Sequence, residues 1–261
     1  MGDSDATPSP GVESGPGNIR SVAQVFVTDL GVPTMDTEDF HHLTRVLRVR
    51  TGETVVVADG RGSWRACTFV AGPPSGSLRL ESDIFTAPHN APRVAVAFVP
   101  AKGDRPEWVV QKLTEVGVDG IIVLRSARAV VRWDADRASK QLDRLRRIAR
   151  EAASQSRRAW LPDVSGVRTF SEMLRNPESA EFETGIGARG ISLAHPGGGS
   201  LSLERPLVAV GPEGGWDESE LGSGLPLVDL GPNILRAETA ALAAGLFLCG
   251  LRDRLVLPSQ A

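Results

Sequence analysis

The chain has 261 residues, 41% of them hydrophobic, with a formal net charge of -3. That length buries a sizeable core and is read as two domains, while the mildly acidic balance excludes a uniformly basic surface but not a local basic patch. Cys67 and Cys249 lie far apart in apolar contexts without metal or redox spacing, which fits a reducing compartment. The longest apolar run, Ala240 to Leu251, falls short of the ~18–20 residues a membrane span requires, and the first residues show no basic region leading into an apolar one. A cytoplasmic protein with no membrane partner is expected.

Residues 1–18 are rich in Gly, Pro, Ser and Asp and are expected to be a disordered tail, because they lack the apolar side chains that would offset ordering entropy. Residues 19–86 read as a small β-rich domain. SVAQVFV, ETVVVADG, SWRACTFV and SLRLESDIF are short runs closed by Gly, Asp or Pro, a pattern that suggests a small barrel. Between the first two, Asp36 stands three residues before Asp39, and Phe40, Leu43, Val46 and Leu47 follow helical spacing, predicting a short inserted helix.

After the Pro-punctuated linker TAPHNAPR the period changes, and residues 93–261 read as a second domain. RVAVAFVP is a fully apolar strand. A helix follows, with Asp104 as N-cap, Val109, Val110, Leu113 and Val116 on one face and Gly117 as its stop. DGIIVL is a second buried strand, so the series argues for an α/β fold with a mostly parallel sheet covered on both faces. A helix is predicted over Arg137–Ser156, strands at GISLAH, PLVAVG and PLVDLG, and a closing helix over Ala237–Leu251.

Two loops stand out. VAVGPEGGWDESEL runs a strand into three glycines; it carries neither the Lys and Ser or Thr of a phosphate loop nor the GxGxxG of a dinucleotide fold. It is either a ligand loop or a tight turn before a helix capped by Asp217 and Glu220. LVDLGPNILRAETAALAAG leaves a strand through Gly231 and enters a helix rich in Ala, which allows close backbone approach or reflects helix propensity alone. Two parallel strands ending side by side in such loops would place bare amides at the carboxyl edge of the sheet, where open α/β sheets bind ligands.

GPEGG followed by LG-x-x-ILR-x-ETA resembles the SPOUT class of methyltransferases and, within it, the ribosomal RNA small subunit methyltransferase E family, which methylates N3 of a uridine in 16S ribosomal RNA. KGDRPEWVVQKLTEVGV (Lys102–Val118), EAASQSRRAWLPDV (Glu151–Val164) and HHLTRVLRVRTGETVVVADG resemble further elements of that family, so the likeness spans Val22–Leu255. It implies a trefoil-knot methyltransferase domain preceded by a PUA-like β-barrel RNA-binding domain, a homodimer, and S-adenosyl-L-methionine as donor with no metal. By the same resemblance the donor would lie against His195, Pro196 and Gly197, against Gly211, Pro212, Glu213, Gly214 and Gly215, and against Leu230, Gly231, Asn233, Ile234, Leu235, Thr239 and Ala240. The family's usual Arg two residues before the aromatic matched by Phe26 is here Gln24, which bears on an RNA contact expected from the first domain.

Methyl transfer to uracil N3 requires loss of its proton and stabilisation of charge spread over the flanking carbonyl oxygens. Arg236 is the expected anion-binding group, since a guanidinium forks two donors; the alternative is a salt bridge to Glu213 or Glu238. Glu238 and Glu213 are the candidate bases, or else cap a helix or hold a loop amide. Between Arg125 and Arg158 eleven basic residues face four acidic ones. With Arg45, Arg48, Arg50 and Lys102, the residues Arg128, Arg144, Arg147, Arg157 and Arg158 form the expected RNA track along the 16S RNA of the 30S subunit. Trp64 is expected in the core; Trp133 is open between core and base stacking. Competing readings are 2′-oxygen methylation of ribose, an RNA-binding adaptor without activity, and a soluble nucleotide-binding enzyme.

Overall fold

A computed structural model describes residues 15–72, 75–175 and 190–256. The chain forms two compact units, one made of residues up to Pro88 together with Ser154–Trp160, the other of His89–Ala153 and Leu161 onward. The expected division at the linker therefore changes in one respect, since Ser154–Trp160 belongs with the first unit.

The first unit carries a five-stranded mixed sheet. Strands β1 (Ala23–Phe26), β2 (Thr54–Ala58), β3 (Ser63–Val70) and β4 (Ser77–Leu80) lie in sequence order, and β5 (Phe85–Thr86) pairs with the same strand as β4, each taking a different end of β3. The pair β1–β2 is parallel and the rest are antiparallel. The parallel pair needs a crossover, supplied by the short helix α1 (Thr37–His41), which Asp36 caps by accepting from the Asp39 amide at 2.7 Å and which continues as a π-turn to Val46. Leu43, Val55, Val57, Cys67 and Phe69 are fully buried in this unit's core. Burial pushes the Cys67 thiol up to about 11, so it is an unreactive core group. Trp64 is buried and stacks on Phe85.

Of the expected tail, residues 1–14 lie outside the described residues, but Pro16–Asn18 form a 3-10 turn with Pro16 buried. The tail expectation is thus too long by those residues. Gly62 shows how Ser154–Trp160 is held. A Cβ there would lie 2.5 Å from the Trp160 ring, and the Gly62 amide donates to the Ala159 carbonyl at 3.2 Å. Trp160 Nε1 donates to the Ala87 carbonyl at 3.1 Å.

Among the described residues the second unit carries a six-stranded sheet whose pairs are all parallel. In chain order its described elements are β6 (Ala95–Phe98), α2 (Arg105–Glu115), β7 (Gly120–Arg125), α3 (Ala135–Gln155), β8 (Asp163–Thr169), α4 (Phe170–Arg175), β9 (Ile191–Gly199), β10 (Leu207–Val210), α5 (Glu218–Leu221), β11 (Leu227–Val228) and α6 (Ala237–Arg252). The strand order is β11-β9-β10-β6-β7-β8.

Alternation along β6 builds two cores. Val94, Val96 and Phe98 face Val110 and Leu113 of α2, Leu145 of α3 and Ala241, Ala244 and Leu248 of α6. Ala95, Ala97 and Val99 face Ile122, Leu124, Leu193, Phe170 and Trp216 on the other side. Small residues let α6 close on α2, since a Cβ at Gly245 would meet Leu113 at 2.6 Å. Trp133 joins the first of these cores, which removes it as a stacking platform. Asp104 holds the N-cap position of α2, though its side chain makes no capping bond.

Candidate active site

β9 lies between β10 and β11 and pairs with both, so the two glycine-rich loops do not leave adjacent strands as expected. Three strand ends, not two, meet at this edge. Their loops wall a cavity of about 780 Å³ lined by Ala194–Pro196, Val210–Glu213, Gly215, Trp216, Asp229–Gly231 and Asn233–Ala237, with Arg105, Arg128, Leu221 and Ala240 completing it.

The wall after β10 is braced on every side. The Trp216 indole packs on Gly211, where a Cβ would come within 3.0 Å of the ring, and its Nε1 donates to the Ala194 carbonyl at 3.0 Å. Gly211 is therefore bare because of its own tryptophan. Gly215, at φ +71, donates its amide to the Pro212 carbonyl at 2.8 Å, and nothing lies within 4 Å of where its Cβ would be. The capping box expected of Asp217 and Glu220 is present beside the cavity, so the turn reading and the ligand-loop reading are compatible. Glu220 is buried and also accepts from Ser126 Oγ and the Ala127 amide, both at 3.0 Å, tying the loop after β7 to α5. Bonds from Ser219, backbone amide first, hold the Asp217 carboxyl below the usual carboxylate range, with Arg128 adding to the effect at 3.4 Å.

The wall after β11 hangs on one carboxylate. Asp229 accepts from the Gly197 amide at 2.8 Å and from the Gly231 amide at 3.0 Å, so it joins the end of β9 to the loop after β11. Those amides, Gly197 first, hold its carboxyl below the usual carboxylate range, and His195 nearby adds a smaller effect in the same direction. Gly197 (φ +78) and Gly231 (φ +135) have the backbone conformations such a clasp needs. His195 Nδ1 lies 2.8 Å from the Pro196 carbonyl, which only an N–H at that position can satisfy.

Among the charged groups, Arg236 lines the cavity at the N-cap of α6 and is exposed, with no side-chain hydrogen bond or ion pair among the described residues. The alternative expected for it, a bridge to Glu213 or Glu238, is not formed. Arg105 takes both carboxylates instead, contacting Glu213 Oε1 through one terminal nitrogen and lying 3.7 Å from Glu238 Oε1 through Nε. Of the residues expected around a donor, Gly197, Gly214 and Thr239 fall outside the lining, and the others lie in it. Gly197 acts through Asp229, and the Gly214 carbonyl accepts from Arg128 at 3.4 Å.

The geometry can hold a compact ligand against bare backbone with a free guanidinium at its margin. A model of the RNA methyltransferase domain matches residues 88–248, and one of the RNA methyltransferase PUA domain matches residues 36–80. The chain is 33% identical over 241 residues to the ribosomal RNA small subunit methyltransferase E of Mycobacterium tuberculosis, covering 85% of this chain and 90% of that one. It is 33% identical over 224 residues to that of Bacillus subtilis, covering 79% and 85% respectively. The chain belongs to the ribosomal RNA small subunit methyltransferase E family. The crystal structure of the Neisseria gonorrhoeae member, bound to S-adenosyl methionine, is similar with a TM-score of 0.71 and 28% identity, over 88% of this chain and 97% of that one.

The residues of the expected RNA track fall into separate groups. Arg45, Arg48, Arg50, Lys102 and Arg147 are exposed. Arg128 is held by Asp217, and Arg144 pairs with Glu107 at 3.1 Å. Arg157 is not a free cation on that track, because it is half-buried and donates to the Ser21 carbonyl at 3.2 Å, and burial pushes its guanidinium below the usual arginine range. The Arg158 carbonyl accepts from Gln24 Nε2 at 2.7 Å. Gln24 itself is buried, so the place where the family usually has Arg serves here to hold Ser154–Trp160 against β1. Arg105 and Asp229 were missed by sequence reasoning. The signal for Asp229 was its position directly before the Leu-Gly of the second loop; for Arg105 there was none beyond its place in the helix start.

Proposed function

We propose that this protein transfers a methyl group from S-adenosyl-L-methionine to N3 of a uridine in the 16S RNA of the small ribosomal subunit. The observation that carries the reading is the cavity at the ends of β9, β10 and β11 with an unpaired Arg236 at its margin, in a chain of this family. The residues present fit such a donor: Gly215 and Gly231 leave open space where side chains would stand, and Ala240 and Leu235 offer apolar contact. When bound, the donor supplies an electrophilic methyl on a sulfonium leaving group, so the protein's task is alignment and charge stabilisation. Arg236 forks two N–H donors toward the charge that develops on the uracil carbonyl oxygens as N3 loses its proton. Of the two candidate bases, Glu213 lines the cavity and Glu238 stands outside the lining, and both lean on Arg105.

The wider reading follows the family resemblance. The second unit is proposed to thread a trefoil knot of the SPOUT class, the first to close as a PUA-like barrel, and the enzyme to act as a cytoplasmic homodimer on the 30S subunit. Leu246 (51% exposed) and Phe247 (40% exposed) support the dimer by leaving an apolar face on α6. The exposed Arg45, Arg48, Arg50 and Arg147 support contact with RNA phosphates. Among the described residues no helix is long and apolar enough to cross a membrane, and no group of three His, Cys, Asp or Glu side chains could hold a metal ion.

The test is transfer of labelled methyl from S-adenosyl-L-methionine onto small subunits lacking the modification, followed by nucleoside analysis. Label on N3 of uridine is expected. Label on a ribose 2′-oxygen, or none, would overturn the proposal.

A further inference from the structure

We propose that Arg105 is a positioning residue for methyl transfer, a role that rests on the function proposed above. It stands at the first position of α2, on the cavity wall, and its guanidinium reaches two carboxylates from different elements. Glu213 belongs to the turn after β10. Glu238 belongs to the first turn of α6, two positions beyond Arg236.

The consequence is geometric. The turn that would face the donor and the helix start that carries Arg236 are separate stretches of chain, and a one-ångström error between them is enough to spoil an in-line transfer. Arg105 spans the two, so it sets where Arg236 stands relative to the turn. Glu238 depends on this contact. Its side chain is 15% exposed, and its second oxygen, Oε2, is buried without a hydrogen-bond partner among the described residues, leaving Arg105 as the cation beside it. Arg236, by contrast, has no ion pair among the described residues, and Arg105 holds both acids expected to capture it. A planar guanidinium serves both acids at once, which a lysine ammonium does less well.

The experiment compares wild type, Arg105→Ala, Arg105→Lys, Glu213→Gln and the Arg105→Ala/Glu213→Gln double variant. It measures kcat and KM for small subunits, the salt dependence of KM, and donor affinity by calorimetry. Arg105→Ala is expected to lower kcat by about 10- to 100-fold, with donor affinity within about 3-fold of wild type, an unchanged salt slope and partial rescue in Arg105→Lys. The double variant is expected to be no worse than the poorer single variant, because the two residues act as one unit. A rise in KM with a shallower salt slope would make Arg105 an RNA phosphate contact and overturn the proposal, as would additive losses or unchanged kcat. If wild type binds no donor, the function proposed above fails instead; if wild type binds and transfers while Arg105→Ala matches it, only the positioning role fails.

Discussion

The turn after β10 and the loop after β11 face each other across one cavity, yet they are held in different ways. The first is fixed by an indole on Gly211, a capping box, a buried glutamate reaching to the loop after β7, and Arg105 on Glu213. The second relies on Asp229, and beyond it Ile234 is 84% exposed. The difference teaches that bare backbone has two origins here. Gly211 is a glycine to admit its neighbour's ring, whereas Gly215 and Gly231 face open space, and only the latter kind speaks for a ligand.

That contrast can be broken first at its rigid side. Trp216→Ala should cost about 3–5 kcal/mol of stability, as large-to-small changes at buried aromatics do, measured by denaturant unfolding. A smaller loss is expected for Glu220→Gln, about 1–3 kcal/mol, since it weakens a buried acceptor shared by Ser126, Ala127 and Asp217. On the other wall, Asp229→Asn should weaken donor binding on the order of ten-fold, because the amide cannot accept from Gly197 and Gly231 through both of its ends. Equal donor affinity in wild type and this variant would remove Asp229 from the account. The clasp also has a pH signature. The Asp229 carboxyl is depressed in the folded protein, so its contribution is complete above the ordinary carboxylate value of about 3.9 and fades only as pH falls through the depressed value. Donor affinity should thus show no loss from this group between neutral pH and that value. The smallest effect is expected on the exposed cations, where Arg147→Ala should reduce the salt slope of RNA binding by about one unit and leave donor affinity unchanged.

Much of the second unit was legible because its signals are local. The apolar run at β6, the Pro and Glu opening α2, and the Asp217–Glu220 spacing each fix a local element, and each stands where expected. β8 was missed because only Val164 is buried along it and Gly166, at φ +107, packs on the Val123 carbonyl, so its sequence has neither an apolar run nor clean alternation. Strand order was hidden for another reason. Nothing in PLVAVG or PLVDLG records that β9 separates them, since pairing partners of parallel strands are chosen by crossovers distant in sequence. The same holds for the site. Its glycines were readable from composition, but Arg105 lies 108 positions from Glu213, and Ser154–Trp160 joins the first unit through Gln24 and Gly62. Long-range pairs of single side chains leave no periodicity to detect.

The proposed place of the methyl donor is the cavity that Gly215, Gly231 and Ala240 line. Calorimetric titration of S-adenosyl-L-methionine into wild type and into an Ala240→Leu variant, which adds bulk at a cavity-lining position on the helical backbone of α6, tests it most directly, with unfolding curves showing that both are folded. Saturable binding to wild type is expected, with a loss of affinity of more than about ten-fold in the variant, in line with filling a preformed pocket. Equal affinity in the two folded proteins would contradict it.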